Sequence, residues 1–188
     1  MPSPLDRFLG DSAEDVDLDA REAEASENLR ALVSPDSYGI DDCDVTDVVE
    51  VNEGPEGEPI VVPVARFSLG KEKESPDLDV VWDLAYDAVR AIYPAFEDVF
   101  VRHYDVQFAF GGSGLFDSES CRRMAVTREI ADRAVTEAGW HVSDFEAAML
   151  GGHDIDDEIA PVAWGECTDY DQGPYGGNGA GAAGAGGF

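Results

Sequence analysis

Across 188 residues the chain sets 41 acids against 12 bases, a formal charge of −29. That charge argues against binding a nucleic-acid backbone or an anionic membrane, and it would strain a compact state in dilute salt. Near 1 M salt the Debye length falls to about 3 Å and the repulsion fades; with only two lysines, Lys71 and Lys73, beside ten arginines, the composition fits a protein of a salt-accumulating cell.

Residues 1–30 are acidic and thinly apolar, and a stretch around Asp15 to Ala25 reads as a solvated, mobile helix. Leu29, Leu32 and Val33 are the residues that could dock its end. Ser34 to Gly39 reads as a turn. Val45–Val51 and Ile60–Leu69 read as strands joined by the Gly54–Pro59 loop, a hairpin in which Pro63 predicts an edge strand or a bulge. Ser75-Pro76 opens a helix that ends at Pro94, with Leu78, Val81, Trp82, Ala85, Val89 and Ile92 on its apolar face. Asp79, Asp83 and Asp87 line its other side and read as a solvated face rather than a metal site.

Val99–Phe110 is the longest strand, with Phe100, Tyr104, Val106, Phe108 and Phe110 predicted on the core face. After Gly111-Gly112-Ser113-Gly114, a helix is predicted from Asp117 or Ser118 to about Ala138, stopped by Gly139. A short helix covers Ser143 to Leu150, and a weak last element lies around Ile159 to Trp164. The order strand, strand, helix, long strand, helix, short helix predicts an α+β fold. It is a small, mostly antiparallel three-stranded sheet with helices on one face. Residues 45–165 form the single domain in this reading. Residues 1–44 are a largely mobile acidic segment, and 166–188 a flexible tail rich in Gly and Ala.

Three cysteines, Cys43, Cys121 and Cys167, are widely spaced and form no CxxC, so no disulfide framework or zinc knuckle is expected. The first residues lack the pattern of a signal peptide, which makes a reducing cytoplasm the expected location. No cofactor and no metal site are implied. His153 with Asp154, Asp156, Asp157 and Glu158 matches no defined ligand spacing.

Two places carry candidate chemistry. The first is an anion site built from Gly111, Gly112, Ser113 and Gly114 with Arg122 and Arg123. A strand, a glycine-rich loop and a helix start would aim backbone N–H groups at a phosphate, and the arginines would add charged hydrogen bonds. Cys121 would stand at the same helix start, where a thiolate is favoured. The second is a polar patch on the long strand, where His103 and Asp105 share a face at i, i+2. No catalytic set converges, so the expected function is a non-catalytic interaction or adaptor domain with a protein partner. The alternative is a small protein or enzyme binding a phosphate-bearing ligand at the glycine loop.

Overall fold

The computed structural model describes residues 16–114, 118–152 and 161–170. The first helix is α1 (Leu18–Leu32), followed by a single turn, α2 (Pro35–Tyr38). A hairpin of β1 (Asp42–Glu53) and β2 (Pro59–Ser68) leads to α3 (Leu78–Ile92), which continues as a 3-10 turn over Tyr93–Phe96. Then come β3 (Phe100–Val101), β4 (His103–Phe110), β5 (Ser120–Thr127), α4 (Arg128–Thr136), α5 (Val142–Gly151) and β6 (Val162–Glu166). The strands make one mixed sheet in the order β1-β2-β4-β5-β6, with β3 beside β2. β2 runs parallel to β3 and β4, and the other pairs are antiparallel. No helix among the described residues is long and apolar enough to cross a membrane.

This corrects the expected small three-stranded sheet: the described residues hold six strands and five α-helices. The main error lies at residues 118–138. Ser120–Thr127 is a strand, and the helix begins only at Arg128, with the Thr127 hydroxyl accepting from the Ile130 N–H. Arg, Met and Ala favour helices, but here the pairing of β5 with β4 on one side and β6 on the other overrides them. Met124 and Val126 enter the core, while Cys121, Arg123 and Ala125 face the other way.

The N-terminal boundary is also corrected. Residues 18–32, assigned above to a mobile segment, form a helix capped by Asp17, with Ala25 and Leu29 fully buried. Val33 is buried too, whereas Leu32 stays 47 % exposed. Arg21 pairs with Asp98 at 2.7 Å and Arg30 with Asp44, which fastens this helix at both ends.

The helices pack on one face of the sheet, here the inner face, around Phe67, Phe96, Tyr104, Phe108, Leu84 and Ile92. α3 supplies the middle of that layer, burying Val81, Trp82, Leu84, Ala85, Ala88, Val89 and Ile92. It is also the crossover that makes β2 and β4 parallel neighbours. Pro63 lies inside the sheet rather than on an edge. Its missing donor falls where the parallel ladder breaks: Val61 pairs with Val101, but Val64 pairs with Asp105, so β3 and β4 hold one extra residue. That extra residue also shifts the alternation. Val101 is buried with Val61, and Phe100, expected in the core, is 62 % exposed.

Two arginines of the helix predicted up to Ala138, Arg128 and Arg133, do structural work. Arg128 donates to the carbonyls of Phe96, Glu97 and Val99 and to Asp132, and it lies 4.8 Å over the Tyr93 ring. It thereby ties the 3-10 turn and the entry to β3 onto α4. Arg133 pairs with Glu137 at 2.9 Å and covers the Trp140 ring.

Candidate functional site on the outer sheet face

The alternation that sends Tyr104, Val106 and Phe108 into the core turns His103, Asp105, Gln107 and Ala109 of β4 to the outer face. β5 adds Arg123 and Cys121, and β2 adds Val62, Val64 and Arg66. Among the described residues no helix packs on this face, yet Val62, Val64, Asp105, Gln107 and Ala109 are all buried. Residues Cys167–Tyr170, which follow β6, lie over it. Cys167 is disulfide-bonded to Cys121, Thr168 accepts from Gln107 through its carbonyl, and Tyr170 reaches the polar cluster. The bond corrects the expectation that spacing suggests no disulfide. The sheet brings together two residues that lie 46 apart in sequence, a proximity no local spacing rule reveals.

Asp105 is 0 % exposed. Its Oδ2 accepts from the Tyr170 hydroxyl at 2.5 Å and from Arg123 Nη1 at 3.0 Å. Having given its hydrogen to Asp105, the Tyr170 oxygen is left to accept from Arg123 at 3.4 Å and from His103 Nε2 at 3.3 Å. Four side chains from three segments thus meet at one oxygen pair. Burial pushes the Asp105 carboxyl above its ordinary range, and the hydrogen bond from Tyr170 and the Arg123 charge pull against that rise. Burial first, then the Arg123 and Arg102 charges, lower the His103 imidazolium from 6.5 to about 4. The ring is therefore neutral at neutral pH. Burial beside the Asp105 carboxylate raises the Tyr170 hydroxyl, which stays protonated. Asp105 Oδ1 and Arg123 Nε are buried and have no hydrogen-bond partner among the described residues.

A cleft of about 360 Å³ adjoins the cluster, lined by Asp47, Arg66, Gln107, Thr168, Tyr170 and the disulfide, among others. It is a size that admits a small ligand. It presents the carboxylates Asp47 and Asp169 and the Arg66 guanidinium, itself paired with Glu119 at 2.8 Å, together with neutral hydrogen-bonding groups.

The sequence-predicted residues separate here. His103 and Asp105 do share a face, and Tyr170 connects them; the tyrosine escaped sequence reasoning because it lies in a segment that reads as tail. The glycine loop and the arginines do not converge. Gly111 and Gly112 adopt left-handed conformations (φ 74° and 85°) after β4, and a Cβ at Gly112 would meet the Glu119 backbone at 3.0 Å. Ser113 and Gly114 follow in the β4–β5 connection, and among the described residues the next element is β5 rather than a helix. Arg122 and Arg123 are strand neighbours on opposite faces. Arg122 borders a second depression with Glu74 and Glu166, and Arg123 is committed to Asp105. Cys121 sits on β5, not at a helix start. His153, Asp154 and Asp156 to Glu158 lie outside the described residues. No group of three or more metal-ligating side chains occurs among the described residues.

The His103 environment gives a pH prediction. Between 6.5 and about 4 the unfolded imidazole binds a proton that the folded one refuses, so stability falls as pH falls through that window. The loss should reach roughly 3 kcal/mol at the lower end. Chemical denaturation across this range should show the slope, and His103→Gln should flatten it. Equal slopes in both proteins would place the titration elsewhere.

No protein-family model, no curated protein and no solved structure matches this chain.

Proposed function

We propose that this chain is a binding module whose recognition surface is the outer sheet face. One observation carries the reading: a fully buried aspartate, bonded by an arginine of β5 and a tyrosine of the overlying segment, beside an open cleft. Polar groups this buried are costly unless they serve packing specificity or recognition. The ligand class is a small uncharged or zwitterionic molecule rich in hydroxyl or amide groups. Arg66 is ion-paired with Glu119 at 2.8 Å, Asp47 and Asp169 also line the cleft, and Arg123 is already neutralised by Asp105, which disfavours a phosphate ester. The acidic composition supports a setting of high salt for this binding.

A protein partner is the second reading, and β1 favours it. This strand spans Asp42–Glu53 at the end of the sheet, so its outer edge pairs with no other strand among the described residues. Strand addition is a common mode of recognition at such edges. Asp42, Asp44, Asp47, Glu50 and Glu53 along it would select a segment carrying Lys or Arg.

One experiment addresses these readings. Free amino acids, polyols, phosphate esters and a basic extended peptide are titrated into the full chain from dilute to molar KCl, with calorimetry and thermal melts. An amino acid or polyol should raise the melting midpoint, and Gln107→Ala with Arg66→Ala should abolish the gain. No stabilisation by any member, or a gain the double variant keeps, sinks the ligand reading. Peptide binding with amide shifts confined to residues 42–53 would support strand addition instead. The midpoint of the free protein should climb with KCl; a flat series counts against the high-salt setting.

A further inference from the structure

We propose that Cys121–Cys167 is a reversible thiol–disulfide site that latches the segment after β6 onto the outer face of the sheet. The bond joins β5, which is paired on both sides, to the residue immediately following β6. Both cysteines are partly exposed, and together they border two open depressions. A thiolate reductant can therefore approach from either side. Cys43, the third cysteine, is buried and stands outside this chemistry.

The remaining attachments of the segment are non-covalent. β6 makes only three register pairs with β5, broken between Arg123 and Ala125. Trp164 rests against Phe108 at 5.8 Å. Beyond β6 the contacts are polar: Gln107 to the Thr168 carbonyl, and Tyr170 to Asp105, Arg123 and His103. With the covalent tie cut, the polar contacts beyond β6 open with local rather than global cost, because they lie on the outer face; Ala163 and Trp164 of β6 stay packed against the inner core.

The exchange balances with a dithiol reductant as the named co-reactant. Its thiolate attacks Cys167 Sγ, the S–S bond breaks, and the electron pair leaves on Cys121 Sγ, which then takes a proton. Cys121 is followed directly by Arg122 and Arg123, whereas Cys167 follows Glu166. The cationic neighbours make Cys121 the better leaving thiolate. The second thiol of the reductant then attacks the mixed disulfide and releases Cys167, which takes the other proton. Two electrons and two protons pass to the protein, and the reductant ends as a disulfide. That the latch governs ligand access rests on the reading proposed above; the latch itself does not.

The test uses the full chain in molar KCl, titrated with dithiothreitol under native conditions. Iodoacetamide trapping and mass spectrometry count free thiols, and hydrogen exchange follows the backbone. Two newly alkylated thiols, at Cys121 and Cys167, are expected while Cys43 stays unmodified. Exchange over residues 162–170 should speed at least tenfold, with residues 104–108 still protected. Cys121→Ser/Cys167→Ser should fold and show the same fast exchange without reductant. Reduction only on unfolding, modification of all three cysteines together, unchanged exchange over 162–170, or failure of the double variant to fold would each overturn the latch. Ligand titrations on oxidised and reduced protein keep the two ideas apart. If the thiol and exchange results hold but nothing binds either state, the latch stands and the binding reading falls.

Discussion

Arg123→Ala should destabilise the protein by about 3–5 kcal/mol, the range expected when one partner of a buried ion pair is removed. The reason lies in Asp105. Its carboxylate is 0 % exposed, and Arg123, itself only 19 % exposed, supplies the compensating charge at 3.0 Å. Without the guanidinium, Tyr170 alone cannot offset the burial, and the carboxyl must either stay charged at high cost or bind a proton. The second choice makes the loss depend on pH: the variant should recover stability as the medium is acidified and Asp105 is neutralised. An exposed pair such as Arg133–Glu137 offers the contrast, since its removal should cost no more than about 1 kcal/mol. A double variant, Asp105→Leu with Arg123→Met, should regain most of the loss, because an apolar pair of similar size needs no charge balance. Urea denaturation of the wild type, Asp105→Leu, Arg123→Met and the double variant closes a double-mutant cycle and measures the coupling. If Arg123→Ala costs under 1 kcal/mol, water reaches Asp105 and the cluster is not the buried knot described above.

The sequence made the inner layer legible wherever one strong period ran through it. The α3 stripe follows from helical spacing, and the inner residues of the β1–β2 hairpin and of β4 from alternation. The outer face was harder. In β4 the polar residues His103, Asp105 and Gln107 alternate with apolar ones and read as a half-exposed face, although Asp105 and Gln107 are buried, so the sequence gives little hint of what covers the second side. Ser120–Thr127 misled for a related reason: Cys121, Met124 and Ala125 satisfy a helical stripe as well as a strand, and only the pairing partners decide. The extra residue at Arg102 could not be foreseen, although Pro63 marked the place where the neighbouring ladder had to yield. Of the candidate site, the His103–Asp105 pair was visible as two polar residues on one strand face. Tyr170 and the Cys121–Cys167 bond were invisible, since both are contacts across long sequence separations.

Leu29→Ala should cost about 2–5 kcal/mol, the range for emptying a buried leucine site. In a chain of this size that is a fall in melting midpoint of roughly 5–20 °C. Composition alone points the other way, because α1 holds few apolar residues and much negative charge. What decides is where those few fall. Ala25, Leu29 and Val33 recur at helical spacing, are all 0 % exposed, and bury against β1 and α3. Ser26 adds a hydroxyl hydrogen bond to the Val45 carbonyl at 3.3 Å, on the strand at the sheet edge. Removing the helix would therefore uncover the end of the core and an edge carbonyl at once. Leu32 is the internal control: it is 47 % exposed, and Leu32→Ala should change stability by no more than about 0.5 kcal/mol. Melts of both variants in molar KCl, beside a chain lacking residues 1–33, make the comparison. The truncated chain should melt lowest or fail to fold cooperatively. Equal, small effects of Leu29→Ala and Leu32→Ala would mean that α1 is not docked, and that the ordered structure begins at β1.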